Sequence, residues 1–211
     1  MTAAQAYSPW GDQPLSTRAD NDNARPVMIG LTGLRNVGKS TVAEMLEQEH
    51  GFERIHAFAG GKLAAAVWFE SFGLDGNRMV FGDLKDVPCP DLPGGVAPRF
   101  LLEKLGQFFG VQLGLEWTLA MEIAAARKRA PRAPIVVESL VYEAPWFKAQ
   151  GGLVVRLERP GHDGPAGIES DAVQALVAAD VVISATTVAD VPRQARELVR
   201  GPTVQMMMGG R

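Results

Sequence analysis

Gly33, Gly38, Lys39 and Ser40 stand in VMIGLTGLRNVGKST at the spacing G-x-x-x-x-G-K-[ST], which suits a main-chain cradle for phosphate. Glycines let successive amides converge on an anion, and a helix starting at the second glycine aims its positive dipole end at the same point. Arg35, Asn36 and Val37 complete the loop. The ammonium of Lys39 is placed to reach the β and γ phosphates of a nucleoside triphosphate. The Ser40 hydroxyl is placed to take a Mg²⁺ ion bridging those oxygens, and Thr41 to touch the α phosphate. ATP and Mg²⁺ are therefore the expected cofactors, with Lys39 as a catalytic residue.

Such a loop needs a strand before it and a helix after it. Val27 to Leu31 is a short apolar run. Val42, Met45, Leu46 and Glu49 set a helical stripe that ends at Gly51. Further apolar runs, Arg54 to Phe58, Ile135 to Leu140, Leu153 to Leu157 and Val181 to Ser184, predict four more strands separated by helical patterns. Alternating strands and helices predict an α/β P-loop NTPase fold, with a five-stranded parallel sheet covered by helices on both faces. Residues 59–134 break the alternation, with about three helical patterns and the loop VPCPDLPGGVAPR but no convincing strand. They read as a helical insertion within a kinase domain spanning 26–200. Residues 1–25 read as a flexible extension and 201–211, with three consecutive Met residues, as a flexible tail.

The 211 residues, 46% of them hydrophobic, suffice for one α/β domain with a full core. A formal charge of −3 argues against a broad, sequence-independent grip on nucleic acid. No run approaches the roughly 18 apolar residues that cross a bilayer. The first residues have no charged start followed by an apolar block, so the expected location is the cytoplasm, that of a host if the chain is phage-encoded. The lone Cys89 forms no internal disulfide, and three histidines supply no metal-ligand spacing.

The loop alone does not separate kinases from GTPases and motor ATPases. An N-K-x-D guanine signature is missing, and the strand PIVVES ends in Glu138 where a motor ATPase carries Asp. With those readings set aside, the order of several further pieces resembles the bacteriophage-type deoxynucleoside monophosphate kinases, from Val27 to Val199. The pieces are GFERIHAFAGGKL after the first helix, K85-D86-x-P, and A97-P98-R99-F-L-L-E-K-L-G106. Trp117 follows, then VVES with E143-A-P-W146 behind it, G151-G-L-V-V-R-L-E-R159-P-G, and IESDAV before AADVVISATTVADV. Two departures are visible. The third strand reads Glu138-Ser139-Leu140 where relatives tend to read Asp-x-Arg, and Gly167-Ile168-Glu169-Ser170 stands for a His-x-Ser-Glu.

The resemblance implies transfer of the γ phosphoryl of ATP to the 5′ phosphate of a deoxynucleoside monophosphate, a phosphotransferase of the EC 2.7.4 type. The insertion would bind the acceptor, and residues 159–170 would form a lid. Arg99, opening a helix after Pro98, would clamp the acceptor phosphate; an ion pair with Glu103 is the plainer reading. Lys85 and Asp86 would touch acceptor phosphate and sugar, or form a solvated loop pair. Arg159, at a strand end, would bridge donor and acceptor phosphates, against pairing with Glu158 or Asp163. Strand alternation turns Arg156 elsewhere.

Glu138, at the carboxyl end of its strand, would hold a Mg²⁺-bound water or the acceptor. Trp117 would stack on the acceptor base, or belong to a core row with Ala120, Met121 and Ala124. The run Arg127, Lys128, Arg129 and Arg132 suits a helix C-terminus better than a binding patch. His162 is the histidine worth mutating. Two other functions stay open: a related kinase acting on hydroxymethylated pyrimidines in DNA, and a nucleotide-binding regulator without turnover. DNA as acceptor and a second copy of the chain are the macromolecular partners left open.

Overall fold

The computed structural model describes residues 26–114, 116–163, 174, 176–187 and 189–207. Residues 1–25, 164–173 and 208–211 therefore lie outside the described residues. The described residues form two compact units: Phe58–Thr118 is one, and 26–57 joins the chain from Leu119 onward to form the other.

The second unit is built on a five-stranded sheet, β1 (Met28–Thr32), β2 (Glu53–Ile55), β3 (Ile135–Val137), β4 (Leu153–Glu158) and β5 (Val181–Ser184), in the order β2-β3-β1-β4-β5. Every neighbouring pair is parallel, with Ile29 opposite Val136 on one side and Leu153 on the other. All five residues of β1 are buried, as a central strand covered on both faces requires. This is the α/β P-loop fold expected from the sequence.

Side chains alternate along the strands and so divide into two cores. Ile29, Leu31, Val155 and Leu157 pack with Val42, Ala43 and Leu46 of α1 (Lys39–His50). The same layer takes Val191, Ala195 and Val199 of a C-terminal helix, Asp190–Arg200. On the other face Met28, Ile135, Val137 and Val154 pack with Leu119, Ile123 and Ala126, and with Phe147, which is 0% exposed. Gly30 lies under Phe147 because a Cβ there would meet Leu140 Cδ2 at 2.7 Å and the Phe147 ring at 3.0 Å. Replacing Phe147 by Ala would cost about 3–5 kcal/mol.

The unit Phe58–Thr118 holds α2 (Ala59–Ser71), α3 (Gly76–Val80) and α4 (Pro98–Leu113), with a 3₁₀ turn at Pro93–Gly95. Its described residues contain no strand. Ala65, Phe69, Met79, Val80 and Leu102 form its core, with half-buried Cys89 against them. The outer side of α2 also carries Leu63, Val67, Trp68 and Phe72, all exposed.

After these come α5 (Trp117–Arg129), α6 (Ala144–Ala149), α7 (Asp190–Arg200) and α8 (Pro202–Met207). The basic run closes the last turn of α5, where cations favour the helix dipole. Where the sequence suggested an unstructured tail, Pro202–Met207 is helical with Val204 buried in the sheet core. One apolar side chain at helical spacing gives too little periodic signal to be read.

Candidate phosphate-binding site

Central strand β1 ends at Thr32, and the chain turns at Gly33 with φ 131°. A Cβ at Gly33 would lie 2.4 Å from the Leu157 carbonyl oxygen, so the turn sits directly against the end of β4. Asn36 takes a left-handed φ of 61° and Gly38 one of 115°. Val37, 1% exposed, pins the loop to the core beneath it. No side chain caps α1, which starts at Lys39, so the first-turn amides are available to an anion. Lys39 Nζ donates to the carbonyl oxygens of Gly33, at 2.5 Å, and Leu34, at 2.9 Å. Its ammonium is thereby held across the loop.

Two of the expected residues meet beside it. The Ser40 hydroxyl stands close enough to the Glu138 carboxylate to favour its ionised form. Glu138 Oε2 also accepts from Arg54 Nε at 3.0 Å and Nη2 at 2.7 Å. Burial pushes the Glu138 carboxyl up, but Ser40, Arg54 and His56 together outweigh it and hold the group below its ordinary range. A hydroxyl and a carboxylate side by side are hard oxygen donors of the kind Mg²⁺ takes. Among the described residues no group of three His, Cys, Asp or Glu is clustered for a metal, so phosphate oxygens and water would complete such a shell.

Arg54 is a residue that sequence reasoning missed. Arg54, on β2, brings a cation to Glu138, which stands one residue beyond the end of β3. Its signal was a single Arg opening the run Arg54 to Phe58, too common a pattern to single out.

A cleft of about 290 Å³ runs beside the loop, lined by Gly33, Val37, Arg156, Glu158, Arg159 and His162 among others. Arg159 pairs with neither Glu158 nor Asp163. Its Nη2 meets His162 Nδ1 at 2.5 Å, and His162 Nε2 meets the Arg35 carbonyl oxygen at 2.7 Å. Arg156 lines the same cleft instead of turning away. Strand alternation stops at Glu158, so it does not set Arg159 against Arg156. Arg156 Nη2 donates to the Val177 carbonyl, and Nη1 lies 3.7 Å from Glu158. Gly167 to Ser170, in the loop assigned as a lid, lie outside the described residues.

Arg99, Lys85, Asp86 and Trp117 belong to the other unit. The Arg99 guanidinium forks onto both oxygens of Asp86, with Nη2 at 2.8 Å from Oδ2. Its amide donates to the Lys85 carbonyl at 3.0 Å. The fork onto Asp86 spans thirteen residues, a pairing that the spacing of Arg99 and Glu103 did not suggest. Pro98 opens α4 and sets Arg99 in its first turn. Trp117 opens α5 and is half-buried.

No protein-family model matches the chain, and no curated protein matches it. Solved structures with similarity to it include TT1252 from Thermus thermophilus, 21% identical over 83% of this chain and 97% of that one, with a TM-score of 0.47. An unliganded sugar kinase from Janibacter sp. HTCC2649 is 15% identical over 83% and 94%, with a TM-score of 0.38. Dephospho-CoA kinase from Campylobacter jejuni is 15% identical over 87% and 98%, with a TM-score of 0.37. Among the described residues no helix is long and apolar enough to cross a membrane.

Proposed function

We propose that this chain is a nucleotide kinase that transfers the γ phosphoryl of ATP to the 5′ phosphate of a deoxynucleoside monophosphate. The observation that carries the reading is the loop Gly33–Ser40. Its left-handed turns at Asn36 and Gly38, an uncapped helix start and the ammonium of Lys39 converge on one point at the end of the central strand. That combination binds a polyphosphate through main-chain amides and a point charge. The amides of Asn36 to Thr41 would take the β and α phosphates, and Lys39 the β and γ phosphates. Ser40 and Glu138 would hold Mg²⁺, directly and through water. The metal, when bound, neutralises charge shared by the β and γ oxygens.

In the transfer an oxygen of the acceptor phosphate bonds to γ phosphorus as the bond to the β–γ bridging oxygen breaks, leaving ADP and a deoxynucleoside diphosphate. The acceptor is already ionised, so the protein's task is positioning and charge stabilisation. Arg159, beside the loop, supplies a cation for charge on the transferring group. Arg99 offers the planar fork that matches a phosphate monoester, with Lys85, Asp86 and Trp117 around the acceptor. We place the domain at 26–200, with 59–134 as its acceptor-binding insertion, 159–170 as a lid, and the cytoplasm as its location.

The test is purified protein with Mg-ATP against the four deoxynucleoside monophosphates and hydroxymethyluracil-containing DNA, following ADP release and labelled product. Product on at least one monophosphate, with turnover lost in Lys39→Ala, is expected. Product on DNA alone moves the acceptor to the hydroxymethylated base, and ATP binding without transfer to any acceptor makes the chain a nucleotide-binding regulator.

A further inference from the structure

Three hydrogen bonds meet at the end of β4. Beyond the ring contacts of His162 to Arg159 and to Arg35, the His162 amide donates to the Arg159 carbonyl at 3.0 Å. The ring contacts fix the imidazole's chemistry. A guanidinium has only donors, so Nδ1 must be the acceptor toward Arg159; a carbonyl oxygen only accepts, so the proton must sit on Nε2. A doubly protonated ring would turn an N–H toward the guanidinium and lose that contact.

The carbonyl gripped by Nε2–H belongs to the peptide joining Arg35 to Asn36. A peptide is planar, with its C=O and N–H pointing in opposite directions, so holding the Arg35 oxygen also aims the Asn36 amide. Asn36 is the one non-glycine residue among those described with a positive φ, a conformation that neighbours must hold in place.

We infer that His162, as the neutral Nε2–H imidazole, is a positioning residue that locks the Arg159 guanidinium and the Arg35–Asn36 peptide of the phosphate loop to each other. The inference rests on the proposed function, since both locked groups are those that would meet the triphosphate tail. It adds that the geometry of the tail's binding depends on the tautomer and orientation of one ring. The charged side chains that line the cleft beside that ring are Arg156, Glu158 and Arg159, from β4 and its end.

Two measurements test this, one of which needs no nucleotide. In ¹⁵N-histidine-labelled protein at pH 7.5, the long-range ¹H–¹⁵N spectrum should show one ring, absent from His162→Gln, as the Nε2–H tautomer. The Nδ1–H form or a rapidly averaging ring overturns the inference, even if the protein binds no ATP and the kinase reading falls with it. ATP affinity is then measured at pH 7.5. His162→Leu should bind about tenfold more weakly than wild type at pH 7.5. His162→Gln, whose amide can accept from Arg159 and donate to Arg35 without titrating, should stay within about threefold. Equal affinities in wild type and both variants overturn the inference while leaving the kinase reading intact.

Discussion

Arg54 of β2 reaches Glu138, one residue beyond the end of the neighbouring parallel strand β3, with two guanidinium nitrogens on a single carboxylate oxygen at 3.0 and 2.7 Å. Both side chains are about three-quarters buried, at 28% and 22% exposure. The pair therefore belongs to the frame of the site, and it hands Ser40 a carboxylate that stays ionised.

Because Glu138 titrates below its ordinary value of 4.5, its contribution to stability is complete above that value and is lost as pH falls through the lowered one. Glu138→Gln is expected to destabilise by about 1–2 kcal/mol at pH 7. Arg54 would then face a neutral amide oxygen, and its carboxylate contact would be the long one to Glu47 at 3.9 Å. Urea denaturation of both proteins from pH 3 to 7 should show the difference closing below about pH 4.5. A constant difference would mean that the carboxylate's charge contributes nothing.

Glu143 has the opposite sign. Burial pushes its carboxyl up, against the Val141 amide it accepts at 3.2 Å. A raised acid favours folding while protonated and costs stability as pH rises from 4.5 through the raised value. Glu143→Gln keeps an acceptor for Val141 and should raise the melting temperature at pH 7.5 while leaving it nearly unchanged at pH 4.

Gly33 tolerates no side chain. Alanine there must hold φ 131° and place its Cβ 2.4 Å from the Leu157 oxygen. Gly33→Ala is expected to cost about 2–4 kcal/mol by denaturant titration and to weaken ATP binding in whatever folded protein is recovered.

Arg99→Lys keeps the charge but loses the fork. With the deoxynucleoside monophosphate that serves as acceptor, KM for the acceptor should rise about tenfold, with KM for ATP unchanged. A fall in thermal stability with both KM values intact would leave Arg99 only its pairing with Asp86.

The sequence by itself determined the fold class and the phosphate loop. Each rests on local signals: short apolar runs at Val27, Ile135 and Leu153, the glycine spacing, and the start of α1 at Lys39. Those signals are legible because the backbone conformations they demand exclude most other residue types. What the tertiary structure alone decided are the partners of charged side chains. Arg54 reaches Glu138 from 84 residues away, His162 reaches Arg35 from 127, and Arg99 forks onto Asp86 thirteen residues before it. A long flexible cation can meet any carboxylate or ring that the fold carries within reach, and sequence spacing holds no record of which strands become neighbours.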